Sequence, residues 1–314
     1  MDKAREEGYN ILGEGALDCC RLCPHSCGVN RKDASGFCGC GVSVRAAKAQ
    51  LHHWEEPCIS GRLGSGAVFF SGCTLRCCYC QNYSISQQAF GKELSVRQLA
   101  DIFLRLQEEG AHNINLVTAT PYVPQTVAAL DLVRHRLHIP IVYNCGGYER
   151  LEVVRSLKDY IDIWLPDLKY YDPWLSSRFS GVSDYFSVAS RAITQMVRQT
   201  GPPTFSPAGK PAPVMKKGVI IRHLVLPGHR KDSIRLLHWL AHSLPKGHFY
   251  LSLLRQYTPY RQNGSYPELN RRVTSYEYDK VVRTALELGL GQGYTQHKNS
   301  AKQEYTPIFD LGGL

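Results

Sequence analysis

From residue 66 onward, short apolar runs alternate with amphipathic stretches, and this alternation limits the fold more than any other feature. Residues 66–72, GAVFFSG, form a brief apolar run of the buried-strand kind. Residues 95–109 read as an amphipathic helix, with Ser95 and Gln98 as a capping box and Val96, Leu99, Ile102, Phe103 and Leu106 on one face. Strands at 113–118, 140–143, 161–168, 218–226 and 250–256 then alternate with helices at 123–135, 149–157, 185–199, 232–243 and 275–288. The last helix is capped by Thr274 and Glu277. Six successive strand–helix units of this kind require an α/β fold of parallel strands joined by right-handed crossovers. Six are too few to close an eight-stranded barrel. A partial (β/α)6 barrel and a doubly wound open sheet both satisfy the pattern, and each puts functional residues at the C-terminal ends of its strands.

The first strand leads directly into Ser71-Gly-Cys-Thr-Leu-Arg-Cys-Cys-Tyr-Cys-Gln-Asn82. Cys73, Cys77 and Cys80 therefore project from one loop at the catalytic face, at spacings that let a tight turn wrap a cubane iron–sulfur cluster. Electron-carrying ferredoxins close such a cluster with a fourth cysteine. Three ligands leave one iron open to a substrate, by the logic of an open metal site. Cys78 is the alternative fourth ligand, but a strand-end loop directs it away from its neighbours.

Twelve cysteines in a chain of 314 residues point to metal or redox chemistry, since six lie between Cys19 and Cys40 and four between Cys73 and Cys80. Cys20, Cys23, Cys27 and Cys38 make a C-x2-C-x3-C-x10-C set, with Cys19 and Cys40 as spares, and Pro24, Gly28, Gly36 and Gly39 permit sharp turns. Four thiolates suit an auxiliary 4Fe–4S cluster or a structural zinc. His25 reads as a surface residue. The organisation expected is a Cys-rich N-terminal metal-binding extension at 1–62, a barrel core at 63–260, and a C-terminal helix and tail packing on the barrel at 261–314. Residues 200–213, with five prolines, read as irregular.

No apolar run approaches the roughly 18–20 residues that span a bilayer. The opening MDKAREEGYN lacks the pattern of a secretory signal, so a cytoplasmic location with no membrane partner is expected. The net charge of +10 comes from scattered Lys and Arg, which reads as a solvated basic surface, with nucleic acid as the lesser alternative.

The C-x3-C-x2-C spacing with Tyr79 before its last cysteine resembles the radical S-adenosylmethionine (SAM) superfamily. The resemblance implies a 4Fe–4S cluster whose open iron is chelated by SAM. It also implies reductive cleavage of SAM to a 5′-deoxyadenosyl radical, which abstracts hydrogen from a substrate. GCTLRCCYCQN, the Asp167-x-Lys169 pair of IDIWLPDLKYYD, and IRHLVLPGH resemble the glycyl-radical-enzyme activases. LCPHSCGVNR, GAHNINLVTAT, YNCGGY, LPDLKY and RHLVLPG resemble a sister group, the PflX-type iron–sulfur proteins, over about residues 19–310.

Carried over position by position, the resemblance places Tyr79 against the adenine and makes Asn82, which closes the motif, a cofactor-binding position. Thr118 and Thr120 occupy the place of a glycine-glycine-glutamate segment that binds the methionine end of SAM. Asn144 stands where activases carry a cation-binding aspartate, and Cys145 where they carry a threonine. Lys169 pairs with the SAM carboxylate, and Arg222 contacts the ribose or the same carboxylate. Read from the residues alone, Asp167 and Lys169 are equally a salt bridge, Arg222 a structural arginine, and Asn144 a turn former. Gln256 and Tyr257 are further candidates.

The function expected is hydrogen abstraction from a protein or peptide substrate, a glycyl radical enzyme being one version, with a flavodoxin- or ferredoxin-like reductant. The alternatives are an RNA-modifying radical SAM enzyme and a non-catalytic iron–sulfur electron carrier.

Overall fold

A computed structural model describes residues 10–207, 213–259, 264–297 and 306–314. Its ten strands are β1 (Val44–His52), β2 (Ser65–Phe70), β3 (Lys92–Leu94), β4 (Ile114–Val117), β5 (Ile141–Cys145), β6 (Ile163–Pro166), β7 (Thr204–Phe205), β8 (Met215–Leu224), β9 (Tyr250–Leu254) and β10 (Gly293–Thr295). They form one open sheet in the order β10-β9-β8-β6-β5-β4-β2-β1-β3, with β7 paired to β8. All pairs from β2 across to β10 are parallel. The six expected strands are β2, β4, β5, β6, β8 and β9.

Burial decides between the two architectures left open above. Along each central strand, alternate residues enter different cores, as the two-residue period of a strand requires. Val68, Phe70, Tyr143, Trp164, Val219 and Ile221 face the cluster that contains the buried residues of every long helix. Their neighbours Val142, Ile163, Leu165 and Ile220 face a separate cluster, together with Cys58 and Ile59 from the β1–β2 connection. The long helices thus cover one face only. A doubly wound sheet would have them on both, so the fold is a partial (β/α)6 barrel with a concave inner wall.

The capping boxes stand as read: Ser95 Oγ accepts from Gln98 N, and Thr274 Oγ1 from Glu277 N. Several elements escaped the sequence. β1, inside the segment read as a cysteine-rich extension, is a nine-residue strand of the barrel sheet, antiparallel to β2 from Ala46↔Phe70 to His52↔Ser65. Its alanine-rich sequence has little β propensity, and pairing on both edges holds it. A helix at Pro173–Ser180, capped by Asp172 through Trp174 N, precedes the expected helix Tyr185–Thr200. The 200–213 segment is not wholly irregular, because β7 pairs antiparallel with β8; residues 208–212 lie outside those described. No helix among the described residues is long and apolar enough to cross a membrane.

The chain ends along β1, where Leu311 N donates to Ala47 O and Ala49 N to Gly312 O, both at 3.0 Å. At the other end of the described chain, buried Arg31 fastens the cysteine-rich segment to the barrel. Its guanidinium donates to the carbonyls of Cys40, Gly41 and Pro121 and lies over the Tyr122 ring. Hydrogen bonds from a charged group are worth about 1.5–3 kcal/mol each. Arg31→Met should therefore speed amide exchange in residues 10–43 by at least about tenfold while leaving β4–β6 protected, as read by hydrogen-exchange mass spectrometry.

Candidate active site

β2 stops at Phe70, and Gly72, at φ +86°, turns the chain into the cysteine loop. A side chain at Gly72 is excluded twice, by this left-handed backbone and by Cys40 Sγ, 2.1 Å from where its Cβ would sit. Cys73, Cys77 and Cys80 then line one cavity of about 250 Å3 at the C-terminal end of the barrel. Cys78 does not line it: its N–H donates to Phe179 O, and its charged neighbours are Glu268 and Arg178.

Each of the three lining sulfurs has a polar hydrogen near it. Leu75 N donates to Cys73 Sγ at 3.4 Å, Ser86 Oγ donates to Cys80 Sγ at 3.3 Å, and Ser180 Oγ lies 2.9 Å from Cys77 Sγ. Burial, and then the proximity of Cys77 and Cys80, push the Cys73 thiol up to about 12. The Cys73 and Cys77 thiols, both raised by burial, resist ionising unless positive charge joins them, and metal binding supplies that charge as it displaces their protons. Soft thiolates with N–H and O–H donors behind them fit an iron–sulfur cluster. Among the described residues, no three His, Cys, Asp or Glu side chains converge on a single ion. A cubane makes no such demand, since each thiolate holds a different iron.

Across the cavity the concave wall continues as a polar network. Asp167 accepts from Lys169 Nζ at 2.6 Å and from Arg222 Nε at 2.9 Å. Arg222 also donates to Asn144 Oδ1 at 2.6 Å and to Glu55 Oε2 at 3.2 Å. Glu55 Oε1 accepts from both Asn115 and Asn144, each at 3.1 Å. Burial opposes the charge on Asp167, but Arg222 and then Lys169 outweigh it, and its pKa is lowered. Burial likewise opposes the Lys169 ammonium, and Asp167 and Cys77 overcome it, so Lys169 stays charged. Sequence reasoning found Asp167, Lys169, Asn144 and Arg222 but missed Glu55 and Asn115. Glu55 arrives from the β1–β2 connection, which carries no motif.

Tyr79, Asn82, Thr118, Cys145 and Gln256 also line the cavity. Thr120 does not, which departs from its expected place at the cofactor. It is fully buried, donates to Glu149 Oε1 at 2.8 Å and accepts from the Tyr143 hydroxyl at 3.2 Å. Tyr257 is also turned from the cavity wall, donating to Leu269 O at 2.7 Å.

The N-terminal cysteines abut this site. Cys20 is electrostatically coupled to Cys27 and Cys38, and Cys23 to Cys38 and Cys20. Cys40 instead faces Ser71 and Gly72 of the cavity loop, while its hydrogen bond to Cys38 leads the effects that lower the Cys38 thiol to about 6. His25, read as a surface residue, is half-buried. Its ring stacks on Phe37 at 3.9 Å, with Nε2 2.8 Å from Thr74 O. Arg76, between the ligands, donates to Phe37 O at 2.9 Å and lies over the Phe37 ring. The two cysteine groups thus share one packed boundary.

The Radical SAM superfamily model matches residues 67–187, which span β2, the cysteine loop and β4 to β6. Over this segment the chain matches the radical SAM family. An uncharacterized protein of Methanocaldococcus jannaschii is 28% identical over 280 residues, covering 86% of this chain and 75% of that relative. SuiB of Streptococcus suis, bound to S-adenosylmethionine, aligns with a TM-score of 0.48 at 12% identity, over 74% of this chain and 50% of SuiB; the chain thus spans half the SuiB length. A domain of a pyruvate-formate lyase-activating enzyme from Bacteroides vulgatus aligns with a TM-score of 0.37 at 16% identity, over 64% of this chain and 91% of that domain.

Behind the cavity, burial raises the Glu149 carboxyl from 4.5 to about 8 against hydrogen bonds from Thr120, Tyr143 and Cys145. Between these values the folded protein keeps a proton that the unfolded chain releases, so stability falls as pH rises from about 5 to 8. Glu149→Gln mimics the protonated form and should flatten that decline. Urea unfolding of the metal-free protein should show its advantage over the natural chain growing across this range, by an amount on the order of a few kcal/mol.

Proposed function

We propose that this protein is a radical enzyme that cleaves S-adenosylmethionine reductively and abstracts hydrogen from a protein or peptide substrate. The observation that carries the reading is the cavity itself. Three thiols from one strand-end loop, each with a hydrogen-bond donor or hydroxyl beside it, share the cavity at the barrel mouth with a half-buried ammonium. Cys73, Cys77 and Cys80 would hold a 4Fe–4S cluster. When bound, the cluster supplies the electron that splits the sulfonium into methionine and the 5′-deoxyadenosyl radical.

The chain's own residues bind and orient. Lys169, kept charged by Asp167, offers its remaining N–H groups to the SAM carboxylate. Asp167, Glu55 and Asn144 each accept from a different nitrogen of Arg222 and fix it in the cavity wall, where its remaining N–H groups would meet the ribose or the carboxylate of SAM. Tyr79, Asn82 and Thr118 line the space for the adenosyl and methionine moieties. Thr120 takes no part, because its hydroxyl is engaged by Glu149 and Tyr143.

The activase-like version, with a glycine of a partner enzyme as target, is supported by the GCTLRCCYCQN loop and the Asp167-x-Lys169 pair. A flavodoxin- or ferredoxin-like protein is the proposed reductant and the cytoplasm the proposed location. Cys20, Cys23, Cys27 and Cys38 form the proposed second metal site, read as an auxiliary 4Fe–4S cluster in preference to zinc. Cys40 is spoken for by Ser71 and Gly72.

Anaerobic reconstitution with iron and sulfide, followed by dithionite and SAM, should yield 5′-deoxyadenosine. Cys77→Ala should abolish it, and Lys169→Met should raise the KM for SAM about 10- to 100-fold, the loss of a charge-assisted bond. A protein holding a full cluster at the triplet that never cleaves SAM would end the enzyme reading in favour of an electron carrier.

Cys23→Ala should remove metal from the second site and leave the triplet's cluster intact, as counted by iron analysis and electron paramagnetic resonance. Zinc that survives iron chelation in the natural chain would decide against a second cluster.

A further inference from the structure

We propose that Ser180, Tyr170 and Tyr79 form a directed hydrogen-bond relay that sets the reduction potential of the cluster through Cys77. The inference rests on the cluster assignment proposed above and adds a function for three residues that take no part in holding iron. Ser180 Oγ lies 2.9 Å from Cys77 Sγ and 2.7 Å from the Tyr170 hydroxyl, which lies 2.5 Å from the Tyr79 hydroxyl. Ser180 is 0% exposed and Tyr170 is buried, while Tyr79 reaches the cavity wall.

Backbone contacts hold the relay in register. Ser180 closes the helix Pro173–Ser180, and that helix end is tied to the cysteine loop twice. Arg76 N donates to Ser180 O at 3.1 Å, and Cys78 N to Phe179 O at 2.8 Å. These two bonds flank Cys77 in the loop, so the Ser180 hydroxyl cannot drift from the sulfur without breaking them.

Chemistry then fixes the direction of every proton. A cysteine bound to iron is a thiolate and can only accept. Ser180 must therefore donate to Cys77, its oxygen must accept from Tyr170, and Tyr170 must accept from Tyr79. Each donor in the chain is polarised by the one behind it, which strengthens the final bond to sulfur, and burial keeps water from competing. Hydrogen bonds to cluster sulfurs withdraw charge and favour the reduced, more negative state, which raises the potential. The other two ligands lack such a chain. Cys73 has a backbone N–H, and Cys80 has Ser86, which is only partly buried.

The test reads the cluster and not turnover. In the full-length protein reconstituted anaerobically, the midpoint potential is measured by redox titration monitored by electron paramagnetic resonance. Ser180→Ala should lower the reduced-to-oxidised ratio at a fixed poise about tenfold, ~59 mV for one electron. Tyr170→Phe, which removes only a hydroxyl, should shift it in the same direction by less, and it carries the test if Ser180→Ala fails to hold iron. Because Tyr170 acts only through Ser180, adding Tyr170→Phe to Ser180→Ala should change nothing further. A four-iron cluster whose potential is unmoved by either single variant would overturn the relay and leave the enzyme reading standing. Equal Tyr170→Phe shifts in both backgrounds would overturn it as well. Failure of the natural chain to assemble a cluster at the triplet would overturn both.

Discussion

Two half-buried cations converge on one carboxylate, and the catalytic face is arranged around that convergence. Asp167 follows the last residue of β6, accepting Lys169 at 2.6 Å and Arg222 at 2.9 Å. A single carboxylate so placed fixes residues from two neighbouring strands, because Arg222 lies on β8 and forms a bridge with Asp167 beyond the end of the regular pairing. Without Asp167, two charges would stay buried with too little compensation, a condition that costs about 3–5 kcal/mol when one partner of a buried pair is removed. Arg222 then reaches Asn144 on β5 and Glu55 from the β1–β2 connection, so four segments of chain meet at one guanidinium. The cavity keeps its shape because these bonds cannot be broken one at a time without stranding a charge.

The charges in this wall have a consequence for what it accepts. Glu55, Glu56 and Asp167 are three carboxylates, and Arg222 and Lys169 supply two positive charges. Burial raises the Glu55 and Glu56 carboxyls, against the pull of Arg222. The Lys169 charge pulls against the burial that raises both the Cys73 and Cys77 thiols. A ligand carrying a carboxylate next to a positive sulfonium matches this arrangement. In the function proposed above, the SAM carboxylate is the group that would meet this ammonium.

Features set by local pattern were legible in the sequence. Ser95 with Gln98 and Thr274 with Glu277 form their capping boxes wherever such a helix begins, because the bonds join residues three apart. That Cys73, Cys77 and Cys80 share one cavity was readable because their close spacing directly after a buried strand is a local feature of the sequence. What escaped depends on partners distant in the chain. The alanines of β1 become strand residues only because β2 and β3 flank them. Glu55 matters only because Arg222, 167 residues on, points at it. Thr120 is two residues from cavity-lining Thr118, yet the buried carboxyl of Glu149 draws its hydroxyl the other way. A family pattern transfers a position along the chain and not the direction of its side chain.

The same distinction explains why the two cysteine groups, separate in sequence, behave as one piece of structure. Gly72 has no side chain because the Cys40 sulfur occupies that space, so the turn that presents Cys73 is shaped by a residue of the N-terminal segment. Thr74 meets the His25 ring through its carbonyl, and Arg76 lies on Phe37, so two alternate residues of the cavity loop are gripped from outside the barrel. On the barrel side, Ser180 and Phe179 hold the alternating residues Arg76 and Cys78. The loop is therefore clamped between an N-terminal segment and a helix end, neither of which belongs to the strand that launches it. A loop left free after β2 would cost conformational entropy to order around a cluster. Here that ordering is completed by folding, and the thiols are already gathered in one cavity for metal to enter.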